Sequence, residues 1–464
     1  MGRGRKMVKL AKYLFATVAA LAVFLIFKLD PALAQEAAGA APAAPTPPIN
    51  TGDTAWMLTS TALVLLMTIP GLALFYGGMV RKKNVLATVG QAFGATCIIT
   101  VLWMIIGYSI AFTTNDSESL QKWIGSFKYF MLKPMTIDAV NPLAGSIPES
   151  VYMTFQMTFA IITPALIAGS LADRMKFSSF MVFMGAWLIL VYSPIAHWVW
   201  GGGWLGQLGA LDYAGGTVVH LNAGTAGLVC ALVLGPRHGL GKENMAPYNL
   251  VYSVIGASLL WVGWFGFNAG SAVTANVNAG MAMAVTQIAT AAAALAWMVC
   301  EWMIAKKPSI LGLVSGAVAG LVAITPASGF VNPTGALIIG IAAGVVCYFA
   351  AVHVKKAFGY DDALDAFGVH GIGGTLGAIL TGVFATREVN DLRMGKAMGL
   401  VDGDAGQVMN QFIAVAIAWV LGIVGTLVIL KICDVVLGVR VDQQQEMDGL
   451  DLSMHGEEGY NFEA

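Results

Sequence analysis

Charged residues are scarce in this chain of 464 residues, and their scarcity excludes a soluble globular protein. Asp, Glu, Lys and Arg make up 11% of the residues, whereas 57% are hydrophobic and the mean hydropathy is +0.74. So few charges cannot cover a single soluble core of this size with a polar surface. The composition therefore predicts a polytopic membrane protein, and the 55 glycines are typical of helices that pack closely in lipid.

Metal ligands and cofactor motifs are also missing. The five cysteines lie in apolar stretches, which predicts packing residues and argues against a disulfide framework. Four histidines have no metal-ligand spacing and are assigned no role: His197, His238, His353 and His455. The glycine-rich runs lack the basic residue of a phosphate-binding loop. The sequence thus predicts no metal, no cofactor, no enzymatic activity and no ATP-driven transport. The net charge of −1 carries no information about partners, and no nucleic acid partner is expected.

The first 34 residues are typical of a cleaved signal peptide. Basic residues precede an apolar run at residues 13–27, and residues 32–34 (Ala-Leu-Ala) form a small-x-small cleavage site. A retained first span is the alternative, because the run is only a little short of the ~20 residues that cross a bilayer. After cleavage, the Ala/Pro-rich segment 35–53 would be exported and the mature chain would begin outside.

Eleven apolar segments follow, each near or above the ~20 residues that span a bilayer. They are residues 54–80, 87–114, 150–171, 177–200, 215–235, 249–270, 277–304, 309–328, 332–353, 362–384 and 407–438. An outside N-terminus and eleven spans place the C-terminus in the cytoplasm. The prediction is an all-α transmembrane domain at residues 54–438, followed by a cytoplasmic tail at 439–464.

The basic residues agree with this orientation. On the predicted inner side lie Arg81, Lys82, Lys83, Arg174, Lys176, Arg237, Lys242, Lys306, Lys307, Lys355, Lys356, Lys431 and Arg440. On the outer side lie Lys122, Lys128, Lys133, Arg387, Arg393 and Lys396. An excess of Lys and Arg inside is the bias expected of membrane proteins.

One sequence pattern occurs twice. His220 and His370 each follow an aspartate (Asp212 and Asp362) by eight residues, and each precedes a Gly-Thr-x-Gly motif. The fifth span would run inward and the tenth outward. We therefore expect two five-helix inverted repeats, spans one to five and six to ten, followed by one final long helix.

The inverted repeat predicts that the two histidines meet near the centre of the membrane. Eight helical residues rise ~12 Å, so in a core ~30 Å thick His220 and His370 would differ by only ~6 Å in depth. Small residues three, four and seven positions later would let the two helices touch. These residues are Ala223, Gly224, Gly227, Gly373, Gly374 and Gly377.

The histidines and the aspartates of this pattern each have two interpretations. Facing imidazoles can share one proton, which suits the passage of a small neutral molecule or a proton relay. The alternative is a hydrogen bond that only fastens the two halves. Asp212 and Asp362 are predicted helix N-caps, with Asp365 at the N3 position of a capping box. A role of the aspartates in the conduction path is the other possibility.

Four motifs carry a family resemblance: residues 75–78 (Phe-Tyr-Gly-Gly), 209–220, 263–271 and 365–371. In this order on eleven spans, they closely resemble the Amt/Mep/Rh ammonium transporters, specifically bacterial Amt proteins. The resemblance runs from about Thr54 to the C-terminus. It implies a homotrimer in the bacterial cytoplasmic membrane, with one narrow pore per subunit that takes up ammonium; ammonium and methylammonium are not distinguished.

The resemblance also implies functional residues. Trp200, Phe159 and Ser271 match an outer recruitment site, where aromatic faces attract the cation and a hydroxyl accepts a hydrogen bond. Phe159 and Phe267 match an aromatic gate beneath it. The matching pore-lining positions are Trp264, Leu260 and Phe75. Weaker candidates for the vestibule are Tyr192 and Phe155. Aromatic residues near a membrane interface are otherwise commonly belt anchors.

Passage below the gate requires a proton to leave the ammonium ion, because an unpaired charge in an apolar channel costs several kcal/mol. We expect ammonia to pass His220 and His370 while the proton returns through water or the histidine pair. The predicted result is net electrogenic uptake. Neutral conduction of ammonia is the alternative mechanism.

The tail carries a second expectation. Residues 449–451, 455–457 and Tyr460 match the tail of bacterial Amt proteins, which implies folding against the inner surface and control by a PII-type nitrogen-signalling protein. The acidic stretch is expected to dock on basic residues of the inner loops: Arg81, Lys82, Lys83, Lys306 or Lys307. A disordered acidic tail is the alternative. Ammonium sensing through the tail is a different function, and the short tail favours transport over it.

Overall fold

The structure, a computed structural model, describes residues 48–460. The predicted signal peptide at 1–34 lies outside the described residues, as do most of the segment 35–53 and residues 461–464. Within 48–460 the fold is all helical, and the one β-type contact recorded there is an isolated bridge between Met175 and Arg440.

Ten helices in the described range are long and apolar enough to cross a membrane, and one apolar helix, α8, is shorter. In chain order the eleven are α1 (Thr51–Met79), α2 (Lys82–Phe112), α3 (Glu149–Leu171), α4 (Phe177–Leu208), α5 (Gly216–Leu234), α6 (Leu250–Gly270), α7 (Val277–Ala305), α8 (Ile310–Ile324), α9 (Pro333–Phe358), α10 (Phe367–Phe384) and α11 (Gly406–Leu437). The segment expected as a full span at 309–328 thus forms a helix of 15 residues. Such a helix is ~22 Å long, shorter than a hydrocarbon core of ~30 Å.

Short polar side chains begin many of these helices. The first-turn N–H groups of a helix have no partner within it, and an Asn or Ser oxygen just before the helix accepts from them. Such caps are Asn50 on α1, Asn249 on α6, Asn276 on α7, Ser309 on α8 and Asn332 on α9. These positions fix where the loop ends and the span begins.

The first helices of the two halves pack against each other in opposite directions. Gly256 of α6 lies against the backbone of Phe75 in α1, and Gly266 lies against Ser60. Residue numbers therefore rise along α6 as they fall along α1, as the inverted repeat requires. Helices in lipid approach this closely where small residues face each other.

One end of the bundle, which we call the basic end, gathers Arg81, Arg174 and Arg237 from three connections between helices and Arg440 from the tail. Two buried carboxylates hold three of them. Asp173 accepts from Arg81 Nε at 3.0 Å, and Arg237 NH1 lies 3.5 Å from it.

Asp361 is the second carboxylate of this network. It accepts from the backbone N of Arg237 at 2.7 Å and from both sides of the guanidinium, at 3.0 and 2.9 Å. Burial raises the pKa of Asp361, but the hydrogen bonds and positive charge of Arg237 outweigh burial and hold the pKa below its usual value.

The tail packs on the basic end over the part that the structure describes, residues 439–460. A short helix, α12 (Gln443–Asp448), is followed by Asp451, whose carboxylate accepts from the N–H groups of Leu86 (3.0 Å) and Ala87 (2.8 Å) at the start of α2. His455 meets the ring of Phe177 edge to face, with centroids 5.0 Å apart. The tail therefore caps a membrane helix of its own chain.

Two of the lysines expected to dock the tail donate to backbone carbonyl oxygens. Lys83 donates to the carbonyl oxygen of Met447, and Lys306 donates to Met303 of its own helix. The carboxylate of Asp451 binds backbone N–H groups, because the positive end of a helix attracts an anion as a side-chain cation does. Within the tail segment, the Glu446 carboxylate pairs with Arg440 at 2.9 Å.

Replacing Asp361 by Asn should destabilise the basic end. The change removes the ion-pair partner of Arg174 and leaves Arg237 with Asp173 alone, a loss of roughly 3–5 kcal/mol. The thermal midpoint of the purified protein should fall. In the wild-type protein, this contribution should be complete above the ordinary pKa of an Asp, ~4, and be lost as pH falls through the lowered pKa. Equal midpoints and pH profiles for Asp361→Asn and wild type would contradict the role assigned to the ion network.

Candidate functional site

A cavity of about 280 Å³ opens at the end of the bundle opposite the basic end, which we call the aromatic end. It is lined by Leu143, Tyr152, Gln156, Phe159, Val199, Trp200, Tyr213, Ser271 and Val273. The lining contains all three residues that the sequence predicted for a recruitment site. It lacks carboxylates, so a cation held there would meet aromatic faces and neutral oxygens.

The floor of the cavity is a pair of stacked rings. Phe159 and Phe267 are buried, and their centroids lie 4.1 Å apart with an interplanar angle of 24°. Trp200 meets Phe159 edge to face at 6.0 Å, while its Nε1 donates to the carbonyl oxygen of Asp212 at 2.8 Å and so fixes the indole. The two phenylalanines close the way from the cavity into the bundle.

Ser271 and Gln156 in the cavity lining each carry an oxygen that can accept a hydrogen bond. Ser271 Oγ donates to the carbonyl oxygen of Phe267 at 2.8 Å, and the lone pairs of Oγ can still accept a hydrogen bond. Gln156 Oε1 is buried and has no hydrogen-bond partner within the described residues. Sequence reasoning missed Gln156, and the one available signal was its position one turn before Phe159.

Of the two weaker vestibule candidates, the structure places one beside the cavity. Phe155 packs edge to face on Phe159 at 4.9 Å. Tyr192 is buried against Trp103, with centroids 6.1 Å apart, and is not part of the cavity lining.

Beneath the stacked rings, the two histidines of the repeated pattern meet. The Nδ1 atoms of His220 and His370 are 3.3 Å apart, and both residues are buried. If both rings are neutral, one Nδ1 donates to the other, so one ring presents an acceptor at Nε2 and the other a donor. The Nε2 of His220 has no partner in the described part of the chain.

The helices that carry the histidines cross at glycine. A Cβ on Gly224 of α5 would lie 2.1 Å from the backbone N of Gly371, and one on Gly374 of α10 would lie 2.6 Å from the N of Leu221. No side chain fits at either position. The close crossing is what lets the two imidazoles touch, although Gly227 and Gly377 pack on other neighbours, Ser170 and Ala323.

Both histidines also lie in π-helical turns. These turns, Gly216–Leu221 and Phe367–Gly371, open α5 and α10. A π-helical turn widens the helix locally and frequently marks a functional position. The estimate of depth from sequence assumed regular α-helix and could not include this feature.

Trp264 forms one wall beside the histidines. Its ring stacks on His220 with centroids 5.1 Å apart, and its Nε1 donates to Thr325 Oγ1 at 2.8 Å. Leu260 is buried one turn along α6, and Phe75 is buried on α1 beside Gly256, two turns from Trp264. The three predicted lining residues thus follow one line toward the basic end.

Asp212 organises the start of α5. Its carboxylate accepts four consecutive backbone N–H groups, from Gly215 (2.9 Å), Gly216 (2.7 Å), Thr217 (2.9 Å) and Val218 (3.0 Å). These are the first-turn donors that have no partner within a helix.

Asp362 and Asp365 behave differently from the predicted capping box. Asp362 accepts from the N–H of Phe367 at 2.7 Å and from Ser170 Oγ at 2.7 Å. Asp365 lies before α10 with φ of 59°, and its carboxylate pairs with Lys355. The capping box is therefore wrong, because an N3 residue must be helical to reach back to the cap.

The cap at Asp212 predicts a loss of stability. In Asp212→Ala the four N–H groups lose their acceptor, and we expect the free energy of unfolding to fall by roughly 2–5 kcal/mol. Asp212→Asn keeps one acceptor oxygen and should lose less. Thermal unfolding of the purified variants measures both changes. Unchanged stability together with lost conduction would contradict a capping role and favour a place in the conduction path.

Comparisons with known proteins agree on one family. The model of the Ammonium Transporter Family matches residues 55–460. The chain is 51% identical over 411 residues to an ammonium transporter of Bacillus subtilis, covering 88% of this chain and 98% of that protein. It is 49% identical over 415 residues to one of Aquifex aeolicus, covering 89% and 94%.

Solved structures agree with the sequence matches. The crystal structure of Saccharomyces cerevisiae Mep2 is similar with a TM-score of 0.79 and 34% identity, over 85% of this chain and 88% of that one. A structure titled Sensor Amt Protein is similar with a TM-score of 0.78 and 27% identity, over 87% of this chain and 98% of that one.

Proposed function

Since this chain belongs to the ammonium transporter family, whose members are transporters and not enzymes, we propose that it takes up ammonium through the path from the aromatic end to the basic end. The supporting observation is the order of groups along that path. Neutral oxygens and aromatic faces come first, a stacked ring pair follows, and a histidine pair lies beneath it.

The recruitment step uses the cavity at the aromatic end. Trp200 and Phe159 offer π-faces that attract a cation by ~0.5–2 kcal/mol depending on its desolvation. Ser271 Oγ accepts a hydrogen bond, and Gln156 Oε1 is a second acceptor for an ion that carries four N–H donors. This chemistry distinguishes ammonium from an alkali cation of similar size, which has no hydrogens to donate.

The passage step separates the proton from ammonia. The rings of Phe159 and Phe267 leave no polar group to solvate a charge, and an unpaired charge there costs several kcal/mol. Ammonia then passes His220 and His370, which offer one acceptor and one donor. The proton crosses by water or by the shared hydrogen bond of the two Nδ1 atoms, so that net positive charge enters.

The cellular setting follows from the same proposal. The basic end faces the cytoplasm, as the excess of Lys and Arg requires. The chain, cleaved after residue 34, spans the bacterial cytoplasmic membrane eleven times, with α8 as the short span, and assembles as a homotrimer with one pore per subunit. A PII-type regulatory protein contacts the basic end, where the folded tail lies.

A current measurement tests the proposed uptake. Purified protein in a planar bilayer should carry an ammonium-dependent current with and without a proton gradient, because each cycle moves one positive charge. Potassium at the same concentration is the control and should carry none. Ammonium uptake without current would favour neutral conduction of ammonia.

The same measurement separates transport from sensing. The similarity to the Sensor Amt Protein favours sensing as a second candidate. A sensor would bind ammonium and move its tail, yet carry neither current nor uptake.

The histidine pair should decide ion selectivity. In His370→Ala the pore loses one polar wall and gains space for water, so potassium should begin to permeate; the ratio of potassium to ammonium current measures this. His353→Ala is a matched control, because His353 is exposed at the end of α9. If His220→Ala and His370→Ala both keep the wild-type ratio, the pair only fastens the two halves.

A further inference from the structure

His197 is a third buried histidine, and its surroundings are unusual. It lies on α4, one turn before Trp200, and is 0% exposed. Its Nδ1 is 3.0 Å from the carbonyl oxygen of Ala111, and its Nε2 is 2.7 Å from the carbonyl oxygen of Gln121. Both partners are backbone carbonyls, which accept hydrogen bonds and cannot donate them.

Two carbonyl acceptors require two donors from one ring. Neutral imidazole carries a single N–H, whereas the imidazolium carries two. Turning the ring by half a turn would place its carbon atoms toward both oxygens and satisfy neither. The position in the last turn of the helix Ser193–Val199 also favours a cation, because the helix dipole is negative there.

We propose that His197 is an imidazolium and acts as a positioning residue for the cation site at the aromatic end. This inference rests on the proposed function, since it assigns His197 to the site that recruits ammonium. It acts through Trp200, whose place depends on the turn that the imidazolium holds.

The turn after Trp200 is built around the His197 ring. The backbone N–H groups of Gly201 and Gly203 each donate to the His197 carbonyl oxygen at 3.0 Å. A Cβ on Gly201 would lie 2.1 Å from the Ala111 oxygen and 2.6 Å from His197 Nδ1. The ring, the Ala111 carbonyl and the glycine turn therefore fill one tight space, and a change in the ring contacts displaces the turn.

The connection between α2 and α3 contacts both the His197 ring and the glycine turn. Gln121 offers its carbonyl oxygen to His197 Nε2, and its own Nε2 donates to the carbonyl oxygen of Gly201 at 3.2 Å. Gln121 thus binds both the ring and the turn. Loss of one ring N–H leaves a buried carbonyl without a donor and loosens the connection that holds Trp200 in place.

The positive charge of His197 does not depend on a neighbouring carboxylate. In the part of the chain that the structure describes, no carboxylate forms an ion pair with His197. The charged groups of the packed connection are exposed: Glu118, Lys122 and Asp116, which pairs with Lys128. The end of α2 and the last turn of α4 contribute no other charge. The two carbonyls and the helix end are what hold the proton.

A pH dependence of substrate affinity follows. As the outside pH rises and the imidazolium loses a proton, Trp200 is held less firmly and the apparent affinity for ammonium should fall. Across about pH 5.5 to about pH 8.5, we expect the KM for free ammonium ion to rise roughly 3- to 10-fold. The maximal current should change little, because the histidine pair and the gate are untouched.

The test combines transport with a direct reading of the ring. Ammonium currents of wild type and His197→Gln are recorded across this pH range. His197→Gln should show a raised KM that no longer depends on pH. His353→Gln is the matched control and should keep the wild-type profile. In parallel, ¹⁵N spectra of wild-type protein in liposomes report whether both nitrogens of His197 carry protons. The His197 signal is identified by its loss in His197→Gln, or as the histidine signal that remains in every single His→Gln variant of the other five histidines.

The outcomes separate this inference from the proposed function. Two protonated nitrogens at acidic pH and a KM that rises with pH only when His197 is present support the proposal. A single protonated nitrogen at acidic pH overturns it, even if His197→Gln fails to fold, because that spectrum comes from wild-type protein. A KM profile unchanged in His197→Gln also overturns it. Absence of ammonium current at every pH, with the imidazolium signal present, instead rejects the transport function.

Discussion

The backbone contact between α5 and α10 is the constraint on which the rest of the molecule depends. Gly224 and Gly371 allow the two helices to cross without a side chain between them. His220 and His370 occupy equivalent positions in the two repeats. Because α5 and α10 run in opposite directions, these two positions meet, and the Nδ1 atoms lie 3.3 Å apart. A methyl group at Gly224 would separate the rings and widen the path. The geometry at the histidine pair is therefore set by the lack of side chains where the two helices cross.

The two ends of this symmetric scaffold are built from different chemistry. The aromatic end holds a cavity whose lining has no carboxylates and consists of aromatic, apolar and neutral polar residues. The basic end holds buried ion pairs, and Asp361 of that network is adjacent to Asp362, which binds the first turn of α10. The ion pairs of the basic end are therefore linked to the start of α10, the helix that carries His370, because Asp361 and Asp362 are consecutive residues. A symmetric frame with unlike ends suits a path with a preferred direction of recognition.

Three buried histidines show how neighbours decide the role of one residue type. His220 and His370 face each other in an apolar setting, where two rings share a single hydrogen bond. His197 faces two carbonyl oxygens at a helix end, where the charged form satisfies both. A neutral pair suits the passage of a neutral molecule, and a cation suits a fixed structural clamp. Sequence reasoning assigned His197 no role, because both of its hydrogen-bond partners are backbone carbonyl oxygens, which every residue carries.

The sequence by itself determined the all-helical membrane class and the positions of the apolar helices, whereas the grouping of Trp200, Phe159 and Ser271 came from the resemblance of its motifs to ammonium transporters. It could do so because hydropathy, helix length and the repeated Asp-to-His interval depend on residue identity alone. Only the tertiary structure decided the shortness of α8, the π-helical turns at the histidines, the docking of Asp451 on a helix start and the pairing of Asp365 with Lys355. These features depend on which backbone atoms meet across helices, and the spacing of side chains along the chain carries no information about that.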